Sequence, residues 1–370
     1  MSVSGGFLEK MDDILQEKTL WERLQSESCP VVLYGMGNGA EKAFAECKRR
    51  GIAVSGVFAS DGFVRGQTFL GFRVETLAQV EARLGDFVIL LCFGSFLPDV
   101  MAHIDGVSRR HTLYAPDLPL FGGGIWDREY AIAHAGELEE AYSLLADELS
   151  RKVFVHLFAY RMTGKLAHLS ACESEREEMY RLLKVGEDES FFDLGAYDGD
   201  TVRELLAYTG GKFRSVTAVE PDPKNRRKLV QKMETFAPGF CDDPRFTLVE
   251  GGVSSSDGEE WFDNAAGRNS SLSENGKLKV PVYSVDSLTC GKRCTLIKMD
   301  VEGAEAGALS GAEQTLRLMR PKLLFSAYHR TEDIFALPLL LHRIEPGYRI
   351  CLRHQPYYPA WEVNFCAWCE

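Results

Sequence analysis

The segment Phe191 to Asp222, FFDLGAYDGDTVRELLAYTGGKFRSVTAVEPD, constrains the fold more than any other stretch of the chain. It reads as an apolar strand, a glycine-rich turn, an amphipathic helix and a second strand, with acidic residues at the strand ends. Such a unit belongs in a parallel sheet with a right-handed crossover. In the turn Asp193-Leu194-Gly195-Ala196-Tyr197-Asp198-Gly199, the glycines at 195 and 199 allow tight turning and close backbone approach to a ligand. Glu220 ends the second strand, where a carboxylate can accept both hydroxyls of a ribose.

The charge of this turn narrows the ligand. A dinucleotide turn would read GxGxxG and face a pyrophosphate. Here Asp193, Asp198 and Asp200 surround the turn and would repel a pyrophosphate. They suit a nucleoside that carries a cationic amino group and no phosphate, and S-adenosylmethionine is such a ligand.

The rest of the second half extends the same pattern. FFDLG, TAVEPD, FTLVEGGVS, TLIKMDVEG and KLLFSAYH are predicted strands, and YRICLRH and WEVNFCAW pair as a hairpin at one edge. Crossover helices after strands one, two, four and five cover both faces, which gives a doubly wound sheet. A β-rich excursion, EEWFDN and KLKVPVYSV, is predicted between strands three and four. Ligands of doubly wound sheets bind at the carboxyl ends of the strands, where Asp193, Glu220, Gly252, Asp300 and His329 all fall.

The first half is predicted to hold a second, smaller Rossmann-like α/β domain. Residues 1 to about 27 read as one amphipathic helix, and residues 29 to about 119 alternate strands and helices, among them PVVLYGMG, IAVSGVFAS and DFVILLCFG. The turn Gly35-Met36-Gly37-Asn38-Gly39-Ala40 satisfies GxGxxA, with Asp61 after the next strand at the place of a ribose partner. A nucleotide or nucleotide-sugar held by Gly35, Gly37 and Asp61 is one reading, and a turn retained for folding alone is the other. Residues 121–185 read as a helical connector able to cap a pocket. The expected division is 1–120, 121–185 and 186–370.

Composition limits the partners. A formal net charge of -12 argues against a nucleic-acid scaffold. No apolar run reaches a membrane span, and the charged N-terminus does not read as a secretory signal, so a cytoplasmic location is expected. The ten cysteines then read as reduced thiols, although Cys290, Cys294, Cys366 and Cys369 could be written as a four-thiolate zinc set. A homo-oligomer remains open.

Two further segments carry a family resemblance. The run from Leu296 to Glu305, LIKMDVEGAE, and the strand Pro321 to His329, PKLLFSAYH, resemble the FkbM family of S-adenosylmethionine-dependent methyltransferases. The resemblance implies methyl transfer to a hydroxyl of a sugar, glycan or small secondary metabolite. It implies cofactor contacts from Asp193, Gly195, Ala196, Tyr197, Asp198, Gly199, Glu220, Gly252 and Val253, and catalytic roles for Asp300 and His329. His329 is expected to act as the general base because an unperturbed imidazole titrates near neutrality. No metal ligand is assigned, although Asp300 with Glu302 could contribute to a divalent site. Two other classes stay open: a non-catalytic binding or regulatory protein on the same fold, and a nicotinamide-dependent oxidoreductase using the turn at Gly35.

Overall fold

The structure is a computed structural model, and it describes residues 6–263, 271–272 and 278–370. The expected first helix is two: α1 (Phe7–Leu15) and α2 (Leu20–Gln25), with residues 1–5 of that reading outside the described residues. The second helix starts afresh because Thr19 and Glu22 form a reciprocal capping box. The first sheet follows, built from β1 (Val31–Tyr34), β2 (Val54–Phe58), β3 (Thr68–Phe69), β4 (Phe72–Glu75), β5 (Val88–Leu91) and β6 (Thr112–Tyr114). Its order is β3-β4-β2-β1-β5-β6, with only β3 antiparallel to its neighbour. Helices α3 (Asn38–Arg49), α4 (Leu77–Leu84) and α5 (Pro98–Ser108) make the crossovers. The short hairpin β3–β4, the helix α5 and the strand β6 were not expected from the sequence; each is too brief or too weakly alternating to show a period.

The connector is helical, with α6 (Arg128–Ala133), α7 (Ala135–Ser143), α8 (Glu148–Thr163), α9 (Ala167–Ser170) and α10 (Arg176–Leu182). The Asp147 carboxylate caps α8 by accepting from Ser150 N at 2.7 Å, and Gly164 ends it in a left-handed turn. From Val153 to Thr163 nearly every side chain of α8 is buried, so this helix has no solvent face.

The second sheet holds β7 (Ser190–Leu194), β8 (Ser215–Glu220), β9 (Phe246–Glu250), β14 (Leu296–Met299), β15 (Lys322–Ser326), β16 (Arg349–His354) and β17 (Val363–Trp368) in the order β16-β17-β15-β14-β7-β8-β9. Five strands are parallel and the last two form the expected antiparallel edge. Helices α11 (Asp200–Tyr208) and α12 (Pro223–Phe236) flank β8, and α13 (Val285–Thr289), α14 (Glu305–Ser310), α15 (Glu313–Met319) and α16 (Asp333–Ile344) complete the cover. The excursion is a small separate sheet of β10 (Gly252–Val253), β11 (Gly258–Asp263), β12 (Ser271–Leu272) and β13 (Leu278–Tyr283). Asn264 and Lys277 of the expected EEWFDN and KLKVPVYSV strands lie outside the described residues.

Strand alternation sorts the core into three clusters. Val31, Leu33 and Leu90 face α2 and α3, while Val32, Tyr34 and Ile89 join a larger cluster that also takes in α8 and Leu323, Phe325 and Leu352 of the second sheet. The opposite face of the second sheet packs Phe191, Val216 and Leu324 against α10 to α12. No helix of the described residues is long and apolar enough to cross a membrane, and all ten cysteines are free thiols.

Candidate functional site

The carboxyl ends of β7, β8, β14 and β15 converge on one cleft. Its floor is the turn after β7, which is pinned from three sides. Gly195 N and Ala196 N both donate to Val219 O at 3.0 Å, Tyr197 N donates to Glu220 Oε2 at 2.8 Å, and the Lys298 ammonium donates to Gly195 O at 2.9 Å. Gly195 has φ +79, and a Cβ there would overlap the carbonyl oxygen of Asp300. Glycine is therefore required by the close approach of two loops that frame the cleft.

One end of the cleft lies beyond the ends of β8 and β9. Glu220, Pro221 and Asn225 line it with Gly251, Gly252, Val253 and Phe262. The Glu220 carboxylate accepts from Tyr197 N, from Asp222 N at 2.8 Å and from Asn225 Nδ2 at 3.3 Å. Burial still pushes its pKa up to about 7 against those bonds. Three donors leave acceptor capacity on the two oxygens.

Beneath the turn, the Asp193 carboxylate is fully enclosed and faces Lys298 Nζ at 3.4 Å, with no hydrogen-bond partner among the described residues. Burial raises its pKa to about 6 even beside that ammonium. Burial would lower Lys298, but Asp193 and Asp300 hold it above the ordinary lysine range. Asp193 therefore acts through Lys298 and does not line the cleft.

The other end is acidic. Asp300 and Glu302 line the cleft with Ser326 and Tyr328, and Arg176, Met179 and Tyr180 of α10 line it as well. Asp300 Oδ1 accepts from Ser326 Oγ at 2.9 Å and from Tyr328 OH at 3.3 Å. Behind them His329 is buried, its Nε2 3.4 Å from both Asp300 Oδ1 and Glu302 Oε2 and its Nδ1 2.8 Å from Glu305 Oε1. Burial disfavours the imidazolium, but the three carboxylates outweigh it and lift His329 to about 10. Burial would raise Asp300, and Lys298 with His329 instead hold it below the usual carboxylate range. Glu302 is pushed up to about 8, chiefly by burial.

Several sequence-derived placements change here. Asp300 lines the cleft, but His329, expected to face an acceptor, does not; its buried ring is held between carboxylates behind Asp300. The end of the expected first domain, 1–120, and the start of the connector reach it: Leu120 N and Phe121 N donate to His329 O. Asp198 is turned away and paired with Arg203 at 3.2 Å and Lys232 at 2.5 Å, whereas Asp200 lines the cleft. Ala196 and Gly199 shape the turn without lining the cleft, while Gly195, Tyr197, Glu220, Gly252 and Val253 do line it. Sequence reasoning missed Lys298, Asn225, Tyr328 and the trio Arg176, Glu204 and Glu362, in which Arg176 lies 2.9 Å and 3.3 Å from the two carboxylates. Of these Lys298, a lone charge in the apolar run TLIKM, and Tyr328, within the segment PKLLFSAYH that carries the resemblance, left a signal in the sequence.

The second glycine turn has a different surrounding. Gly37 caps α3, and a Cβ on Gly39 would overlap Cys92 O, so that glycine serves helix-strand packing. Just beyond β5, Trp361 and Tyr357 pack on Gly94, and Ser95 pairs with Tyr358. Asp61 lies exposed in a 3-10 turn. Packing accounts for Gly39 and Gly94 without a ligand.

Comparison with known proteins finds a likeness that takes in the cleft. Residues 193–350 match the family model described as Methyltransferase FkbM domain. Over those residues the chain is similar to the FkbM methyltransferase domain. Its segments around Asp300 and His329 lie inside the match. A crystal structure of the methyltransferase FkbM from Methylobacillus flagellatus KT is 20% identical with a TM-score of 0.69, covering 97% of this chain and 93% of that one. That likeness is one of fold, and it extends over the N-terminal sheet as well as the FkbM domain. Precorrin-6y C5,15-methyltransferase from Geobacter metallireducens GS-15 is 12% identical with a TM-score of 0.34, covering 52% of this chain and 86% of that one. Aeropyrum pernix fibrillarin, in complex with natively bound S-adenosyl-L-methionine, is 14% identical with a TM-score of 0.31, covering 49% and 67%. No curated protein sequence matches the chain.

Proposed function

We propose that the chain is an S-adenosylmethionine-dependent methyltransferase acting on a hydroxyl of a sugar, glycan or small secondary metabolite. The observation that carries the reading is the two-ended cleft of the FkbM domain, with Glu220 and Gly252 at one end and Asp300 at the other. The donor set fits the methyl donor. Glu220 keeps acceptor capacity for ribose hydroxyls, Asp200 offers a carboxylate to an amino group, and the amides of Gly195, Ala196 and Tyr197 already donate to Val219 O and Glu220 Oε2 instead of facing a phosphate.

When bound, S-adenosylmethionine would supply an electrophilic methyl group on a sulfonium. The protein contributes alignment and exclusion of water, since the transfer is an in-line displacement. Tyr197 and Gly195 bound the donor side, and Tyr180 and Met179 of α10 close the cleft over the acceptor. Asp300 is the group placed to accept the hydroxyl proton; Ser326 and Tyr328 hold its carboxylate in place. His329 positions Asp300 and Glu302 from behind. Isothermal titration with S-adenosylhomocysteine tests the reading, and no binding at millimolar concentration to folded protein refutes it. A nucleotide at Gly35, Gly37 and Asp61 has no observation favouring it.

A further inference from the structure

The acidic end of the cleft holds more carboxylates than a methyl transfer needs. Asp300, Glu302 and Glu305 converge on one imidazole, and His329 and Glu305 are each 1% exposed. Two buried atoms in this cluster, His329 Nε2 and Glu305 Oε2, have no hydrogen-bond partner among the described residues. Unsatisfied buried polar atoms are rare, and each one calls for a partner.

We propose that Asp300, His329 and the neighbouring glutamates form a divalent-cation site at the acceptor end of the cleft. Asp300, Glu305 and His329 each bring a possible ligand atom within 4.8 Å of the other two; Asp300, Glu302 and His329 Nε2 would hold the ion, and Glu305 stays on Nδ1. Two ligands ~2.1 Å from a tetrahedral ion lie ~3.4 Å apart, and 3.4 Å is the spacing of His329 Nε2 from Asp300 Oδ1 and from Glu302 Oε2. Nδ1 is already held by Glu305, the carboxylate-histidine arrangement that fixes which ring nitrogen meets a metal. One imidazole with carboxylates suits a first-row cation such as Mn2+ or Zn2+ more than Ca2+. Because Asp300 and Glu302 also line the cleft, the ion would lie within reach of an acceptor hydroxyl and offset the negative charge gathered there.

The site does not rest on the identity of the methyl donor, so the two readings fail separately. The test uses the full chain stripped with EDTA and titrated with Mn2+, free Mn2+ being read by its electron paramagnetic resonance signal. Folding is checked by circular dichroism, and S-adenosylhomocysteine binding is measured on the same sample. The expected result is one Mn2+ per chain, displaced by Zn2+, with affinity at least tenfold weaker in Asp300→Asn and Glu302→Gln and unchanged in the exposed control Glu259→Gln. Folded wild-type protein that takes up neither ion at millimolar concentration overturns the proposal. So does uptake that Asp300→Asn and Glu302→Gln leave unaltered. Should His329→Ala fail to fold, the wild-type titration and the two carboxylate variants still decide the matter.

Discussion

Replacing Lys298 by Met should destabilise the chain by about 3–5 kcal/mol, and a second substitution, Asp193→Asn, should restore much of the loss. The magnitude follows from the surroundings. Asp193 has no solvent exposure and no hydrogen-bond donor among the described residues, and the Lys298 ammonium at 3.4 Å is its counter-charge. Methionine keeps nearly the length of the lysine stem, so packing changes little. What is lost is the charge, together with the bond to Gly195 O. Removing one partner of a buried ion pair leaves the other uncompensated, and the cost is typically ~3–5 kcal/mol. Asparagine at 193 removes the stranded charge, so the double variant should be more stable than the sum of the single effects allows by at least ~2 kcal/mol. Equilibrium urea unfolding followed by tryptophan fluorescence measures all four proteins, with unchanged slopes as the condition for comparing midpoints. A Lys298→Met cost below ~1 kcal/mol, or additivity of the two substitutions within ~0.5 kcal/mol, would refute the account of Lys298 as the charge that holds the floor of the cleft.

Other outcomes follow from the same geometry. S-adenosylhomocysteine affinity should rise as pH increases from 6 to 8, because Glu220 titrates at about 7 and its ionised form is the better acceptor for ribose hydroxyls; at pH 6 only about a tenth is ionised, so binding weakens by up to about tenfold. Calorimetry on Glu220→Gln should show that slope flattened, and an unchanged slope places the ribose elsewhere. Gly195→Ala should lose donor binding by more than tenfold and cost at least ~1–2 kcal/mol, since it meets Asp300 O at positive φ; wild-type affinity would show that the two loops can part freely. Gly37→Val should leave donor affinity unaltered, because open space surrounds that position and it caps a helix of the other sheet. Asp300→Asn should lower turnover by ~10²–10⁴-fold while donor affinity holds, once an acceptor is in hand. Near wild-type turnover would move the proton to another group.

How much of this was legible in the chain depends on the range of the interactions. The strands β7, β8, β14 and β15 are written in local patterns, an apolar run followed by a turn residue, and they emerge as read, whereas their order in the sheet comes from the structure alone. Positions within the turn were less legible. Asp198 and Asp200 are two residues apart, and which one lines the cleft depends on where α11 starts and on Lys232 of α12 reaching across to Asp198. His329 looked like a free base because a sequence shows its neighbours in the chain and hides those in space. Its character is set by Glu305, Glu302 and the segment at Leu120 and Phe121, more than two hundred residues away. The trio Arg176, Glu204 and Glu362 was hidden for the same reason. The long first helix failed on a local signal: Thr19 with Glu22 is a capping box, and it restarts the helix.

The helix α8 sets a timetable for the chain. Its N-terminal cap, Asp147, is held by Arg353 at 2.7 Å, and Leu352 N bonds to Ser150 Oγ on the first turn of the helix. Its buried face from Val153 to Met162 shares a cluster with Ile350, Leu352 and Phe365. During synthesis nearly two hundred residues separate the end of α8 from these partners, so at ~5–20 residues per second that surface waits roughly 10–40 s for its cover. A ribosome stalled inside the second half would leave a nascent chain with an open apolar flank, a natural client for chaperones that bind such surfaces.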